Sequence, residues 1–193
     1  MRIGLYGGTF DPIHLGHLRA AETAREGMGL DLVAFLPSAV PPHRSAPPRD
    51  AADRLAMVRL ATSSHPRFEA WDAELRRPGP SYTVETVAAL LSERPSDSFV
   101  LVVGADTWPE MTTWREPLRL LSLVEVAVVD RPGYAGPDPA MPFPGARGVT
   151  RVEGPSLPIS ATTIRDLARR GRSVRYLVPD VVADYILARR LYQ

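Results

Sequence analysis

The stretch Gly7-Gly8-Thr9-Phe10-Asp11-Pro12-Ile13-His14-Leu15-Gly16-His17 follows an apolar run, Ile3 to Tyr6, and leads into a helical pattern that starts near Gly16. Two glycines at the end of a strand allow the backbone to turn tightly and a ligand to come close. The helix start gathers free N–H groups and the positive end of a dipole, which suits a phosphate. Pro12 fixes the loop, His14 falls just before the helix and His17 in its first turn. Two imidazoles there offer donors to charge building on a pentavalent phosphorus. No GKS/T follows, and the glycines do not spell G-x-G-x-x-G, so neither the Walker loop nor the dinucleotide fingerprint is present. The plain alternative is a pair of surface histidines in a loop. Their spacing and the Gly-Gly-Thr-Phe-Asp-Pro frame favour chemistry on a nucleoside triphosphate.

Beyond this stretch, strand and helix patterns alternate. Leu32–Leu36 reads as a strand stopped by Pro37, and Asp50 as the cap of a helix carrying Leu55, Met57 and Val58. Phe68–Trp71 is a short strand. Ser81 or Tyr82 opens a helix with Val84, Val87 and Leu90 on its apolar side. Phe99–Val103 and Val124–Val129 are continuous apolar runs, the mark of strands buried on both faces. Trp114–Leu121 is expected as a short helix and Val149–Val152 as an edge strand. Ser160 caps a helix ending at Gly171, and a last helix follows Pro179. Such alternation predicts an α/β fold, doubly wound and Rossmann-like, with a mainly parallel sheet and helices on both faces. Ligands in that fold bind outside the carboxyl ends of the strands. No repeat, low-complexity tract or linker divides the chain, so one domain over residues 1–193 is expected.

Composition narrows the chemistry. All 23 basic side chains are arginine, so no lysine can serve as a Schiff base or P-loop ligand, and a cationic clamp must be Arg or His. Cysteine is absent, which excludes disulfides, thiolate metal sites and a thiol nucleophile and fits a reducing cytoplasm. A net charge of +1 gives no basic field calling for nucleic acid. No signal-peptide pattern is visible and no apolar run is long enough for a membrane span.

Four further groups carry candidate chemistry. Ser160 caps a helix whose first N–H groups lie at Ala161 and Thr162, with Arg165 about one turn inside. Alone, this also describes an ordinary capped helix. Gly104-Ala105-Asp106 ends a buried strand, where a carboxylate can accept from a ribose hydroxyl or cap its own backbone. Pro80-Ser81-Tyr82-Thr83 opens a helix able to bind a carboxylate, Trp114-Arg115 offers an indole face, and Arg131 ends a strand with a cation. A flat ring, a carboxylate and a phosphate are what these groups would hold, although a lone Trp is more often core. Pro41-Pro42-His43-Arg44 is a stiff loop with two candidate cations, suited to phosphates or simply solvated. Asp11 and Asp106 are too isolated to claim as metal ligands.

His14-Leu15-Gly16-His17 resembles the signature of the HxGH nucleotidyltransferases, and Gly-Gly-Thr-Phe-Asp-Pro-Ile before it has the form used by the bacterial nicotinate-nucleotide adenylyltransferase branch. Ile159–Arg165 is similar to that family's ISSTxIR motif, with Ala161 in place of the second Ser. The likeness covers essentially the whole chain, with the motifs in the expected order. It implies an ATP site formed by Gly8, Thr9, Phe10, His14, His17, Gly104, Asp106, Ile159, Ser160 and Arg165. His14, His17 and Arg165 would be catalytic. It implies a nicotinate mononucleotide site at His43, Arg44, Tyr82, Thr83, Trp114, Arg115 and Arg131, with backbone N–H groups of Thr83 and Arg115 on the ring carboxylate. The expected reaction joins ATP and nicotinate mononucleotide into deamido-NAD and pyrophosphate, in the cytoplasm. Mg²⁺ is expected, held mainly by ATP phosphates; no metal site built from side chains, no nucleic-acid partner and no membrane are expected, and a homo-oligomer is allowed. Phosphopantetheine or nicotinamide mononucleotide as acceptor, or a non-catalytic nucleotide-binding module, are the alternative readings.

Overall fold

The strand after strand of β-branched and small apolar residues builds one sheet. The computed structural model describes residues 1–39, 49–77, 79–131 and 145–193. Its strands are β1 (Arg2–Gly8), β2 (Leu32–Pro37), β3 (Phe68–Ala70), β4 (Ser98–Gly104), β5 (Glu125–Val129) and β6 (Val149–Val152). They lie in the order β3-β2-β1-β4-β5-β6, and every pairing is parallel. The helices are α1 (Leu15–Gly27), α2 (Ala51–Thr62), α3 (Thr83–Glu93), α4 (Pro117–Leu123), α5 (Ala161–Arg169) and α6 (Asp180–Ala188). The doubly wound α/β expectation is met, and among the described residues the sheet is wholly parallel.

Alternation along each strand divides two cores. Val33, Phe35, Val100, Val102, Ala127 and Val129 point to the side packed by α1, α2, α5 and α6. Ile3, Leu5, Ala34, Leu101, Val103, Val126 and Val128 point to the side packed by α3 and α4. Both faces are therefore dry, which is why these strands read as unbroken apolar runs. The strand order reverses between β1 and β4, and the crevice at their carboxyl ends is where such a fold binds ligands. β1 runs into that crevice with Gly7-Gly8, and β4 with Gly104.

One expected element differs. Trp114–Leu121 is not a continuous helix: a 3-10 helix covers Trp108–Thr113, Trp114 is extended, and α4 begins at Pro117. Proline bars its predecessor from the right-handed helical region. Glu116 accordingly takes φ 48° and ψ 55°, and α4 starts afresh behind it with Pro117 at its first position. The break matters because it turns Trp114 out of the helical register and toward the crevice. Other bounds agree within one or two residues, and both expected caps form: Asp50 accepts from Ala52 N–H, and Ser160 from Thr163 N–H. Among the described residues no helix is long and apolar enough to cross a membrane.

Candidate active site

The mouth of α1 is assembled from buried parts. His14 is the residue before the helix, in extended geometry, and its carbonyl receives the N–H groups of His17 (2.9 Å) and Leu18 (3.3 Å). The His14 N–H donates back to His17 Nδ1 at 3.2 Å. That bond assigns the neutral tautomer: Nδ1 of His17 is an acceptor, so Nε2 carries the proton and is the donor left for a ligand. The two imidazoles stack, with centroids 3.6 Å apart and planes 23° from parallel. A side chain at position 16 would obstruct this. A Cβ on Gly16 would lie 3.0 Å from His14 Nδ1 and 3.4 Å from the carbonyl oxygen of Leu157. A larger residue in place of this glycine would press on the His14 ring, which would have to give by a few tenths of an ångström.

Burial sets the charge of this pair. It holds His14 down to about 4, with the nearby Arg131 cation adding to the effect. His17 is lowered well below its ordinary 6.5, first by burial, then by His14 and Arg131. Both rings are neutral donors and acceptors at neutral pH rather than cations. Permanent positive charge comes instead from arginine.

The loop before α1 is gripped from beneath. Arg54, wholly buried on α2, donates to the carbonyls of Thr9 (2.7 Å), Ser38 (2.7 Å) and Arg49 (2.9 Å). One guanidinium thus ties the Gly-Gly-Thr-Phe loop to both ends of the segment between β2 and α2. Phe10, at φ 49°, buries its ring against His17, Tyr6 and Phe35 at 5.1, 5.8 and 5.8 Å.

A cleft of about 750 Å³ opens beside this mouth. Gly8, Thr9, Phe10, His17, Gly104 and Asp106 line one part of it. Tyr82, Thr83, Trp114 and Arg115 also line it, and Arg131 belongs to the lining as well. A volume of this order suits a small-molecule site. Another of its walls is the mouth of α3: Tyr82 precedes the helix and Thr83 is its first residue. The Arg115 guanidinium lies 4.5 Å over the Tyr82 ring. A second, narrower cavity of about 40 Å³ adjoins it, lined by His14, Gly16, Leu157 and Ile159, and shares Tyr6, His17, Gly104 and Arg131 with the first.

Some expected residues sit differently from their neighbours in the sequence pattern. Asp106 and Arg131, expected at opposite ligands, are joined by an ion pair. The other oxygen, Asp106 Oδ1, is buried without a hydrogen-bond partner among the described residues. Ser160 and Arg165 line neither cavity. Arg165 reaches instead to the carbonyl of Asp11 at 2.8 Å and to Thr162 Oγ1 at 3.2 Å, so α5 is fastened to the loop of α1. His43 and Arg44 lie outside the described residues. His65, which in sequence reads as a structural residue after a helix, packs on Phe68 at 3.9 Å.

Four residues escaped sequence reasoning. Tyr6 lines both cavities, and burial pushes its phenol up to about 12. Its place next to Gly7 on the strand was the available signal. Arg54 occupies the apolar stripe of α2 with Met57, Val58 and Ala61, an i, i+3, i+4, i+7 pattern in which a charged residue signals a buried role. Glu74 is buried at the cleft wall and accepts from Thr86 Oγ1 at 3.0 Å; burial raises its carboxyl above the usual range. The fourth, Tyr192, bonds Asp11 at 2.7 Å.

This crevice, with two histidines on a helix mouth at the reversal of a parallel sheet, is the site of a nucleotidyl-transfer fold. The chain belongs to the cytidylyltransferase-like family, whose profile matches residues 5–167. A protein of Symbiobacterium thermophilum named probable nicotinate-nucleotide adenylyltransferase is 45% identical, over 99% of this chain and 95% of its own. One of the same name from Thermus thermophilus is 45% identical over the full length of both. The Plasmodium falciparum nicotinic acid mononucleotide adenylyltransferase complexed with NaAD shares the fold at a TM-score of 0.82 and 17% identity, covering 99% of this chain and 97% of that one.

Proposed function

We propose that this protein transfers the adenylyl group of ATP to nicotinate mononucleotide, releasing pyrophosphate and forming deamido-NAD, in the cytoplasm. The carrying observation is that one cleft is lined both by the histidine mouth of α1 and by the mouth of α3 with Trp114 beside it. The names of the full-length relatives support the same acceptor.

In this reading an oxygen of the mononucleotide phosphate forms a bond to the α-phosphorus of ATP while the bond to the pyrophosphate oxygen breaks. The nucleophile is already an anion, so no side chain has to remove a proton. Catalysis is positioning and charge stabilisation. His17 Nε2–H donates to an α-phosphate oxygen as negative charge moves onto it, and His14 supports the ring by stacking. Gly8, Thr9 and Phe10 bind the nucleotide, with Gly104, Asp106 and Ile159 on the adenosine side. The α5 mouth at Ser160 takes the departing phosphates, and the Arg165 guanidinium, while it stays on the Asp11 carbonyl, adds its positive charge to them. Arg131 exchanges its carboxylate partner for a substrate phosphate. Tyr82, Trp114 and the N–H groups of Thr83 and Arg115 hold the nicotinate ring and its carboxylate, and His43 and Arg44 approach the mononucleotide phosphate.

Among the described residues no three His, Asp or Glu side chains converge on a metal position. A Mg²⁺ would be held mainly by the phosphates of ATP, where it would supply charge neutralisation.

Pyrophosphate release measured with ATP, Mg²⁺ and either nicotinate mononucleotide, nicotinamide mononucleotide or phosphopantetheine tests the proposal. The acid mononucleotide should give the highest kcat/KM; preferential turnover of phosphopantetheine refutes the assignment.

A further inference from the structure

We infer that Tyr192 is a positioning residue for the α1 mouth, acting through Asp11 on the backbone that carries His14 and His17. The Tyr192 hydroxyl donates to Asp11 Oδ1 at 2.7 Å, across 181 residues of sequence. Both residues are buried, Tyr192 8% and Asp11 5% exposed. Tyr192 lines neither cavity, so it does not touch a ligand.

Asp11 is the node where three distant segments meet the loop. Its second oxygen accepts the N–H of Arg49 at 3.3 Å, at the far end of the segment that contains His43 and Arg44. Its carbonyl accepts from Arg165 at 2.8 Å. Its first oxygen has Tyr192. The Arg49 guanidinium also lies 5.2 Å from the Tyr192 ring, closing the cluster. A carboxylate this buried is costly unless hydrogen-bonded. It is therefore held in one place by its donors, and it lies three residues before His14.

The backbone on both sides of the bond is unusual. Tyr192 has φ 69° and Phe10, adjacent to Asp11, has φ 49°. Aromatic residues rarely adopt this region, and such conformations persist only where the surroundings over-determine them. Burial, then the Asp11 charge, raises the Tyr192 phenol above its ordinary value, so it remains a donor throughout the working pH range. A second link runs beside the first: the N–H of Leu15 donates to the carbonyl of Leu177 at 3.0 Å. The segments flanking α6 thus brace the start of α1 without entering the cleft.

The kinetic part of this inference rests on the proposed adenylyl transfer; the structural part does not. Tyr192→Phe removes the hydroxyl and keeps the ring. Amide hydrogen exchange should quicken at residues 10–18 and stay unchanged in β1, β2 and β4. The kcat should fall by about tenfold with both KM values nearly unchanged, because a displaced donor costs transition-state rather than ground-state binding. Asp11→Asn should show the same local exchange pattern, and the double variant should lose no more than the worse single variant. Unchanged exchange at residues 10–18 overturns the inference. So does uniformly faster exchange across the sheet, or losses that multiply in the double variant. If the wild-type protein fails to use nicotinate mononucleotide while the exchange result holds, the functional reading fails and the positioning role stands.

Discussion

The mouths of α1 and α3 open on one cleft and are held in opposite ways. The α1 mouth is closed in: Phe10, Asp11 and His14 are each 5% exposed or less. It is fixed by Arg54, Arg165 and Tyr192, which come from 45, 154 and 181 residues away. The α3 mouth is half open. Tyr82 makes no side-chain cap, and the cation above its ring, Arg115, is itself exposed. Among the described residues its supports are fewer and span less of the chain: the Glu74–Thr86 bond, twelve residues apart, and the Ser81 hydroxyl, which accepts the Ala39 N–H at 2.8 Å, 42 residues apart. Donors that stabilise a transition state must not move, because reorganising them at the moment of reaction removes their advantage. A surface that admits and releases a substrate has the opposite requirement. On this difference we propose that the first mouth carries the chemistry and the second the choice of acceptor.

Substitutions should separate these roles into kcat and KM. His17→Ala removes the donor that the His14 N–H orients, and kcat should fall by about 10²–10³ while ATP still binds. Steady-state rates with an equilibrium binding measurement check this; an unchanged kcat moves the chemistry elsewhere. Gly16→Ala sets two principles against each other. Alanine favours a helix over glycine by about 1 kcal/mol. Its Cβ, however, would stand 3.0 Å from His14 Nδ1. The expected outcome is an unchanged or raised Tm with kcat reduced by roughly ten- to a hundredfold, since a small displacement is costly at a reacting centre.

At the other mouth, Trp114→Ala should raise KM for the mononucleotide about tenfold with kcat nearly intact, the size of a lost stacking contact. A kcat loss without a KM change would merge the two roles. A different effect is expected on stability. His14 titrates near 4 in the fold against an ordinary 6.5, so the unfolded chain takes up the proton first as pH falls. Stability is complete above pH 6.5 and declines progressively toward pH 4, by about 3 kcal/mol for this group. His14→Gln should flatten the Tm-against-pH curve in that window.

How far these arrangements can be read from sequence follows the same division. The α1 motif, the caps at Asp50 and Ser160 and the doubly buried strands are local patterns, and local patterns are legible. The reason for Gly16 is not, because it depends on the rotamer of His14 and on the carbonyl of Leu157. Trp114–Leu121 reads as one short helix in the sequence, and the left-handed Glu116 before Pro117 interrupts it. Arg54 left a trace, a charge on an apolar stripe. The Asp106–Arg131 pair and the Tyr192–Asp11 bond left none, since only the folded sheet brings them together.

Thr83→Pro addresses the division of labour most directly. Proline is tolerated at the first residue of a helix, and Tyr82, at φ −92° and ψ 119°, already has the geometry that a following proline demands. The substitution removes the Thr83 N–H and leaves α3 in place; Thr83→Ala, which keeps that N–H, is the control. The measurement is the ratio of kcat/KM for nicotinate and nicotinamide mononucleotides. With proline the acid should lose about a hundredfold relative to the alanine control and the amide little, as expected when a site built for a charged group loses its donor. An equal loss for both acceptors, or no loss for either, would contradict the claim that the mouth of α3 selects the acceptor.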